Sequence, residues 1–314
     1  MAALINNAHM PLTQYLEIPM KGNLLTFSLL SAKPDYLSGG SAWIEHIPFA
    51  FLAVEALRPD IFVELGSHHG DSYVAFCQAA KTLELPMRAF AVDTWEGDPH
   101  AGFYGQEVYD RLKSVHDKPY GHFSEMKRMK FDDARNDFAD GSIDLLHIDG
   151  LHTYEAVKHD FETWLPKMSE RGVILFHDTV VRDRNFGVWK LWADISSQYN
   201  SFEFHHGHGL GILCVGKAVP QTFLDLLGQL QALPDNARSY FHAQGQQLSL
   251  QNYMRVLNQK NEASMQQSAD QMDQAAGLLQ DMDRQITQLK SELRESQALN
   301  AQLKQVLEMV TAKA

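Results

Sequence analysis

Ile61-Phe62-Val63-Glu64-Leu65-Gly66-Ser67-His68-His69-Gly70 is the stretch on which the fold turns. A short apolar run rich in branched and aromatic residues predicts a buried strand, Ile61–Leu65, and the residues after Gly70 predict a helix over Ser72–Leu83. Gly66 lets the chain turn sharply and leaves room for a ligand against the backbone. Gly70 permits close packing where the helix begins, and the helix offers its free N–H groups there. Strand, Gly-x-x-x-Gly turn and helix together read as a binding turn for a nucleotide-like ligand. The dinucleotide fingerprint G-x-G-x-x-G is absent, and so is a Walker lysine, which disfavours nicotinamide, flavin and P-loop chemistry. The next strand ends in Asp93, twenty-seven residues after Gly66, where a carboxylate can accept the two hydroxyls of a ribose.

Working outward, the pattern keeps alternating. Strands are expected at Ala89–Val92, Phe123–Met129, Ile143–Ile148 and Val173–Phe176. Helices are expected between them at Glu107–Val115, Phe131–Phe138 and Tyr154–Met168, with Val188–Ser197 after the last. Ser201–Phe204 and Gly211–Val215 suit an antiparallel pair at one sheet edge. Upstream, Ser41–Leu57 reads as an amphipathic helix and Asn23–Leu30 as a short β-like stretch. The class expected is α/β: a Rossmann-like, doubly wound, mostly parallel sheet of seven strands with helices on both faces.

After Lys217 the composition shifts. Gln221–Leu233 is one further helix, and Pro234 follows it. From Met265 a heptad runs unbroken, with a positions Met265, Met272, Leu279, Ile286, Leu293, Asn300 and Leu307. The d positions are Ser268, Ala275, Met282, Leu289, Ser296, Leu303 and Val310. Eleven of these fourteen are apolar, which predicts a C-terminal helical coiled coil. Leu278, Leu299 and Val306 at g widen the stripe, favouring a homo-oligomer of three strands or more, and Asn300 suits a register-fixing role. The expected organisation is an N-terminal extension (1–40), the α/β domain (41–217), a helical connector (218–262) and the coiled coil (263–314).

A formal net charge of −12 argues against nucleic acid or an anionic membrane as the main partner. No apolar run is long enough to span a bilayer, and the first twenty residues lack the basic and apolar regions of a secretion signal. Cys77 and Cys214, far apart in apolar stretches, read as buried thiols of a cytoplasmic protein.

The second half of the domain supplies the reacting groups. Asp149 ends the fourth strand, with His152 three residues on; His177 and Asp178 end the fifth, its neighbour in such a sheet. Ligands in open α/β sheets collect at these carboxyl ends. Asp149 and Asp178 are therefore placed to share a hard divalent cation, Mg²⁺ with several waters kept. His152 is placed to act as a general base, with an ordinary pKa near neutrality.

Glu64-Leu65-Gly66 with Gly70, Val92-Asp93-Thr94-Trp95, Ile143 through His152, and Gly172 through Asp178 stand in series. In order and spacing, over about residues 40–215, they resemble class I S-adenosylmethionine-dependent methyltransferases. The nearest subset is that of macrolide sugar O-methyltransferases and cephalosporin-hydroxylase-like proteins, together with methyltransferase domains of bacterial polysaccharide assembly. The resemblance implies that Glu64, Gly66, Ser67 and Gly70 line the methionine and ribose part of the cofactor. It implies that Asp93 holds the ribose diol with Trp95 beside it, that Asp132 lies near the adenine, and that Asp149 also borders the cofactor. The metal ligands expected are Asp149, Asp178 and His177, the two aspartates as the resemblance implies. Magnesium-binding relatives carry a carboxylate one place earlier, where this chain has His177; that leaves Mn²⁺ or a metal-free reaction open.

The expected function is O-methylation of a sugar hydroxyl, in a glycan under construction such as an O-antigen or capsule. The tail is expected to oligomerise the enzyme or hold it at a fixed distance from a glycosyltransferase. The alternatives are a methyltransferase of a small natural product and an inactive methyltransferase-like scaffold. Glu96–Tyr104, Arg182–Gly187 and His205–Gly211 are the loops expected around the acceptor, the last with histidines in a structural or substrate-loop role rather than a zinc site. Trp164, Trp189 and Trp192, at helical spacing, are expected in the core.

Overall fold

A computed structural model of the protein describes residues 24–311, with side chains to residue 302 and at 304. The segment read for a secretion signal lies outside the described residues, as do the side chains of Leu303, Val306, Leu307 and Val310.

The chain runs α1 (Ile47–Leu57), β1 (Ile61–Leu65), α2 (Asp71–Thr82) and β2 (Arg88–Asp93), then a two-residue ladder, β3 (Gly97–Asp98) with β4 (Gly102–Phe103). It continues through α3 (Gln106–Tyr120), β5 (Ser124–Arg128), α4 (Phe131–Ala134), β6 (Ile143–Ile148), α5 (Tyr154–Trp164) and β7 (Met168–His177). It closes with α6 (Val188–Ile195), β8 (Asn200–Phe204), β9 (Leu210–Cys214), α7 (Gln221–Ala232) and α8 (Pro234–Thr311). The main sheet has the expected seven strands, in the order β5-β2-β1-β6-β7-β9-β8. Its first five are parallel, and β9 runs antiparallel to both β7 and β8.

That order places the site. The chain steps outward from β1 to β2 to β5, then crosses back to lay β6 on the other side of β1. The connections leaving β1 and β6 diverge there, opening a crevice at their carboxyl ends. Gly66 donates its N–H to the Val92 carbonyl (2.9 Å) and Asp149 donates its N–H to the Leu65 carbonyl (2.9 Å), lacing the three strand ends together.

Two upstream expectations are corrected. The β-like stretch at Asn23–Leu30 is, over the described residues from Leu24, a single 3-10 turn (Leu24–Thr26) and further turns. Its amides are satisfied by side chains instead of a strand: Ser28 and Leu29 donate to the Glu55 carboxylate (2.7 and 2.9 Å) and Leu24 to Gln229 (3.1 Å). The amphipathic helix at Ser41–Leu57 is in fact two pieces, a 3-10 turn (Ala42–His46) capped by Ser41 and then α1, which begins at Ile47-Pro48. Proline has no N–H to continue a preceding helix but suits the first turn of a new one. Nor is α1 amphipathic: nine of its eleven residues are buried, because α2 and α7 both pack on it.

The core lies on both faces of the sheet. One side gathers α1, α2 and α7, with Phe241 of α8; the other gathers α4, α5 and α6. Trp164 and Trp192 are buried there, whereas Trp189 is half-buried, donating its indole N–H to the Phe186 carbonyl (3.0 Å). Cys77 and Cys214 are buried free thiols.

Two compact units divide the chain, one through Tyr253 and one from Met254. Residues 218–262, read as a connector, fall on both sides of this division. Phe223, Leu226, Leu227 and Leu230 of α7 and Phe241 and Asn252 of α8 are buried in the first unit. The second unit is helical, and its heptad positions are open to solvent, from Met265 at 74% and Leu279 at 66% to Leu293 at 58%. No helix among the described residues is long and apolar enough to cross a membrane.

Candidate active site

The Gly66–Gly70 turn has the backbone its sequence anticipates. Gly66 has φ +89°, and a Cβ there would overlap the Asp149 carbonyl oxygen. Gly70 has φ +82°, with the Leu112 side chain filling the place a Cβ would take. Between them His68 is also left-handed (φ 45°), a conformation costly for a residue with a side chain.

Asp93 holds that costly turn. One carboxylate oxygen accepts the Ser67 and His68 N–H groups (2.9 Å each), and the other accepts the Trp95 N–H at 2.7 Å. Two carboxylate oxygens offer about four acceptor sites, and the Thr94 N–H also bears on them, so little acceptor capacity is left for a ligand hydroxyl. Burial raises the Asp93 pKa, and the backbone N–H groups of His68, Trp95 and Ser67 oppose that rise. Asp93 therefore borders the cavity while its carboxylate is largely committed to the loop.

Glu64 and Trp95 stand behind the cavity wall and do not line it. Glu64 is fully buried and accepts the Nδ1–H of His147 (2.8 Å), whose Nε2 accepts the Trp43 indole N–H at 3.0 Å. Trp95 is fully buried and donates its indole N–H to the His68 carbonyl (3.0 Å), clamping the loop from the far side. Glu64 points inward because side chains along β1 alternate between faces, whereas Trp95, two residues past β2 and left-handed (φ 53°), is turned in by the loop.

The crevice is a cavity of about 670 Å³, large enough for a cofactor and part of an acceptor. It joins the Gly66–Gly70 turn to Asp149, His152, His177 and Asp178. Asp132 also lines it, half-exposed, with its carboxylate accepting the Nε2–H of His159 at 2.9 Å. All three expected acceptor loops contribute walls, through Asp98, His100 and Tyr104, through Arg184 and Phe186, and through His208.

Asp149, His152, His177 and Asp178 converge. His152 Nε2 lies 3.4 Å from Asp149 Oδ1 and 2.8 Å from Asp178 Oδ2. His177 Nδ1 lies 3.2 and 3.4 Å from those same two oxygens. His177 donates its Nε2–H to the Gly207 carbonyl (2.9 Å), so its Nδ1 is the atom left facing the carboxylates. Donors bound about 2.0–2.2 Å from one ion stand roughly 2.9–3.5 Å from each other, and each histidine stands at about that distance from both carboxylates, so either one with the two aspartates offers the donor chemistry a single cation takes. Among the described residues, Asp149, His152 and Asp178 are also the group of acidic and imidazole side chains close enough to share an ion.

Sequence alone places His152 near neutrality; the site moves it. Burial would lower its pKa, but hydrogen bonds and charge from Asp149 and Asp178 outweigh that and raise it to about 9. His177 moves the same way, its burial likewise overcome by Asp178 and Asp149. Both aspartates are held below the ordinary carboxylate range, the cost of their burial being outweighed by His177 and His152. A histidine pKa raised on folding stabilises the fold fully below the unfolded value, 6.5, and ceases to do so as pH climbs through about 9. The ligand-free protein is therefore expected to lose roughly 2–3 kcal/mol between pH 6.5 and 9.5. Thermal melts across that range should show the loss, and H152Q should show a smaller one; an identical profile in H152Q would rule the coupling out.

Phe186 was not singled out from the sequence. Its ring stacks on His152 (4.6 Å between centroids, 7° between planes) and on His100 (4.6 Å, 26°). Arg184 and Asn185 before it are both left-handed (φ 49° and 61°), and Gly187 after it donates its N–H to the His152 carbonyl at 2.7 Å. The loop thus fixes the plane of His152. His46, which sequence also passed over, shares the Gly207 carbonyl with His177, donating at 3.0 Å. His206 stacks between His46 and His242 (4.7 and 5.4 Å), so this histidine of the 205–211 loop braces the wall.

Residues 63–179 match the family model described as a methyltransferase domain. The match runs from Val63 in β1 to Thr179 just past β7, the stretch that holds the serial motifs. A curated relative, the uncharacterised protein y4gI of Sinorhizobium fredii (strain NBRC 101917 / NGR234), is 44% identical over 229 residues, 73% of this chain. This chain spans about a quarter of that relative's length, the match covering 25% of it. Among solved structures, a methyltransferase from Geobacter sulfurreducens is similar at 12% identity and a TM-score of 0.42, over 54% of this chain and 78% of that one. The O-methyltransferase TomG from Streptomyces achromogenes, involved in tomaymycin synthesis and solved with S-adenosylmethionine, is similar at 13% identity and a TM-score of 0.40, over 65% and 95%.

Proposed function

We propose that this protein is a cytoplasmic O-methyltransferase that transfers the methyl group of S-adenosylmethionine to a sugar hydroxyl of a bacterial surface polysaccharide, an O-antigen or capsule. The observation that carries the reading is the convergence of Asp149, His152, His177 and Asp178 on the cavity that the Gly66–Gly70 turn opens into. A sugar hydroxyl is a weak acid, so its attack on the sulfonium methyl needs the proton removed and the oxygen held in line. His152 takes that proton, and Phe186 keeps its ring in the required plane. A divalent cation, Mg²⁺ or Mn²⁺, would be held by Asp149, Asp178 and His177. It would polarise the hydroxyl and, by offsetting the charge of the two aspartates, favour the unprotonated form of His152. His100 and Tyr104 offer flat faces with polar edges and Phe186 an apolar ring, a combination that suits a pyranose.

The solvent-open heptad stripe supports a second element of the reading: the tail joins copies of the chain, in three strands or more, or sets the distance to a glycosyltransferase. The test is transfer of labelled methyl to a panel of glycans, with and without chelator, by the full chain. Methylated glycan that chelation abolishes is expected. No product on any saccharide would exclude the sugar reading. For the tail, Leu279→Asp with Ile286→Asp is expected to reduce the solution mass to one chain by light scattering, with the methyltransferase domain still folded.

A further inference from the structure

Arg184 is a charge that the reaction proposed for this cavity leaves unused. It lines the cavity on the same loop as Phe186, whereas Lys130, the other lysine or arginine of the lining, follows β5 beside Phe131 and Asp132. The Arg184 Cζ lies 5.0 Å from the centre of the Phe186 ring, and that ring lies 4.6 Å from the imidazole of His152. The guanidinium thus stands within two stacking spacings of the proposed base, a span that one substituted pyranose covers.

The backbone that puts it there is costly. Arg184 and Asn185 are consecutive left-handed residues (φ 49° and 61°), a conformation in which glycine would be relaxed. The loop is pinned just beyond them. Phe186 is buried and donates its N–H to the Asp183 carbonyl (2.9 Å), and Gly187 lies so close to Tyr154 that a Cβ would overlap the Tyr154 backbone. Strain held in place by surrounding contacts clusters at ligand clamps. The protein itself makes little use of the charge. Among the described residues the carboxylate within ion-pair distance is that of Asp183, 3.8 Å from Nε, and the two side chains are 57% and 73% exposed. Such a surface pair contributes little and leaves the terminal N–H groups open.

Charge also sets which way round an acceptor lies. Asp149 and Asp178 put two carboxylates beside His152, so an anionic group is repelled from the reacting end and drawn to Arg184. A guanidinium grips a carboxylate or a phosphate through two parallel N–H donors, which fixes orientation as well as position.

We infer that Arg184 clamps an anionic group, a phosphate or a carboxylate, on the acceptor sugar, so that the site takes acidic sugars and turns the hydroxyl to be methylated toward His152. The inference deepens the proposed function and rests on it.

Three sugars decide it: glucose-1-phosphate, glucuronate and glucose, each titrated by ligand-observed NMR into the full chain saturated with S-adenosylhomocysteine. Chelator is present throughout, so that no cation at the aspartates draws the anion. The wild type is expected to bind at least one anionic sugar about tenfold or more tighter than glucose, and the tighter of the two names the anion. R184Q is expected to bring that preference below about threefold while its affinity for S-adenosylhomocysteine stays within about threefold of wild type. R184G should lose the preference equally and melt no lower than the wild type, because glycine relieves the left-handed backbone; that separates a lost charge from a damaged loop. Preference that survives in R184Q overturns the inference, as does a wild type that binds the three sugars alike or none of them at millimolar concentration; both leave the cofactor reading intact. R184Q that loses about tenfold or more in S-adenosylhomocysteine affinity assigns the guanidinium to the cofactor's own carboxylate and overturns the inference too. A wild type that does not bind S-adenosylhomocysteine overturns the proposed function on which the inference rests.

Discussion

His152→Ala is expected to lower the methyl-transfer rate by roughly 10²–10⁴-fold while the affinity for S-adenosylmethionine changes by less than about threefold. The separation comes from geometry. His152 touches Asp149 and Asp178 through Nε2 and Phe186 through its ring face, and none of the loop hydrogen bonds at Gly66–Gly70 passes through it. Removing the imidazole takes away the proton acceptor and leaves the cofactor turn as it was. Asp149→Ala should act alike on rate, because Asp149 and Asp178 hold His152 from both sides and would share the cation. Single-turnover rates alongside calorimetric cofactor titration check both variants; full activity in either removes the assigned chemistry.

Gly66→Ala is expected to abolish cofactor binding, by about 100-fold or more, and to destabilise the domain by roughly 2–4 kcal/mol. At φ +89° a side chain is strained whatever the space, and here the new Cβ meets the Asp149 carbonyl. That carbonyl cannot retreat cheaply. The Asp149 N–H is bonded to Leu65 and the Gly66 N–H to Val92, so β1, β6 and β2 would have to separate at their ends. Gly70→Ala should cost less, since what it meets is the flexible end of the Leu112 side chain. Cofactor titration and thermal melts distinguish the two; a Gly66→Ala protein that binds like the wild type would contradict the backbone geometry described above.

The order of strands and helices, and with it the α/β class, could be read from the sequence because hydrophobic period and glycine placement are local properties. The same holds for the Gly66–Gly70 turn, for Asp149, His152, His177 and Asp178 at strand ends, and for the apolar stripe from Met265. Each is written within a few residues of itself. Where neighbours along the chain do not set the outcome, the reading failed. Asn23–Leu30 has a strand's composition, but from Leu24 on it forms turns, and Glu55 and Gln229 took the amides of Ser28, Leu29 and Leu24. Ser41–Leu57 broke at Pro48 and was buried all round because α7, more than 160 residues later, covers it.

Tertiary structure alone decided what the site residues do. Which face of a strand end looks into the crevice depends on pairing with strands far away in sequence, and this turned Glu64 toward His147, while the left-handed backbone at Trp95 turned its indole toward His68. It also committed most of the Asp93 carboxylate to the loop. Adjacency of β6 and β7 brought two aspartates and two histidines within 3.4 Å, and their mutual fields moved His152 from near neutrality to about 9. Sequence specifies local conformation through local sterics and periodicity; the electrostatics of a site depend on charges that only the fold brings together.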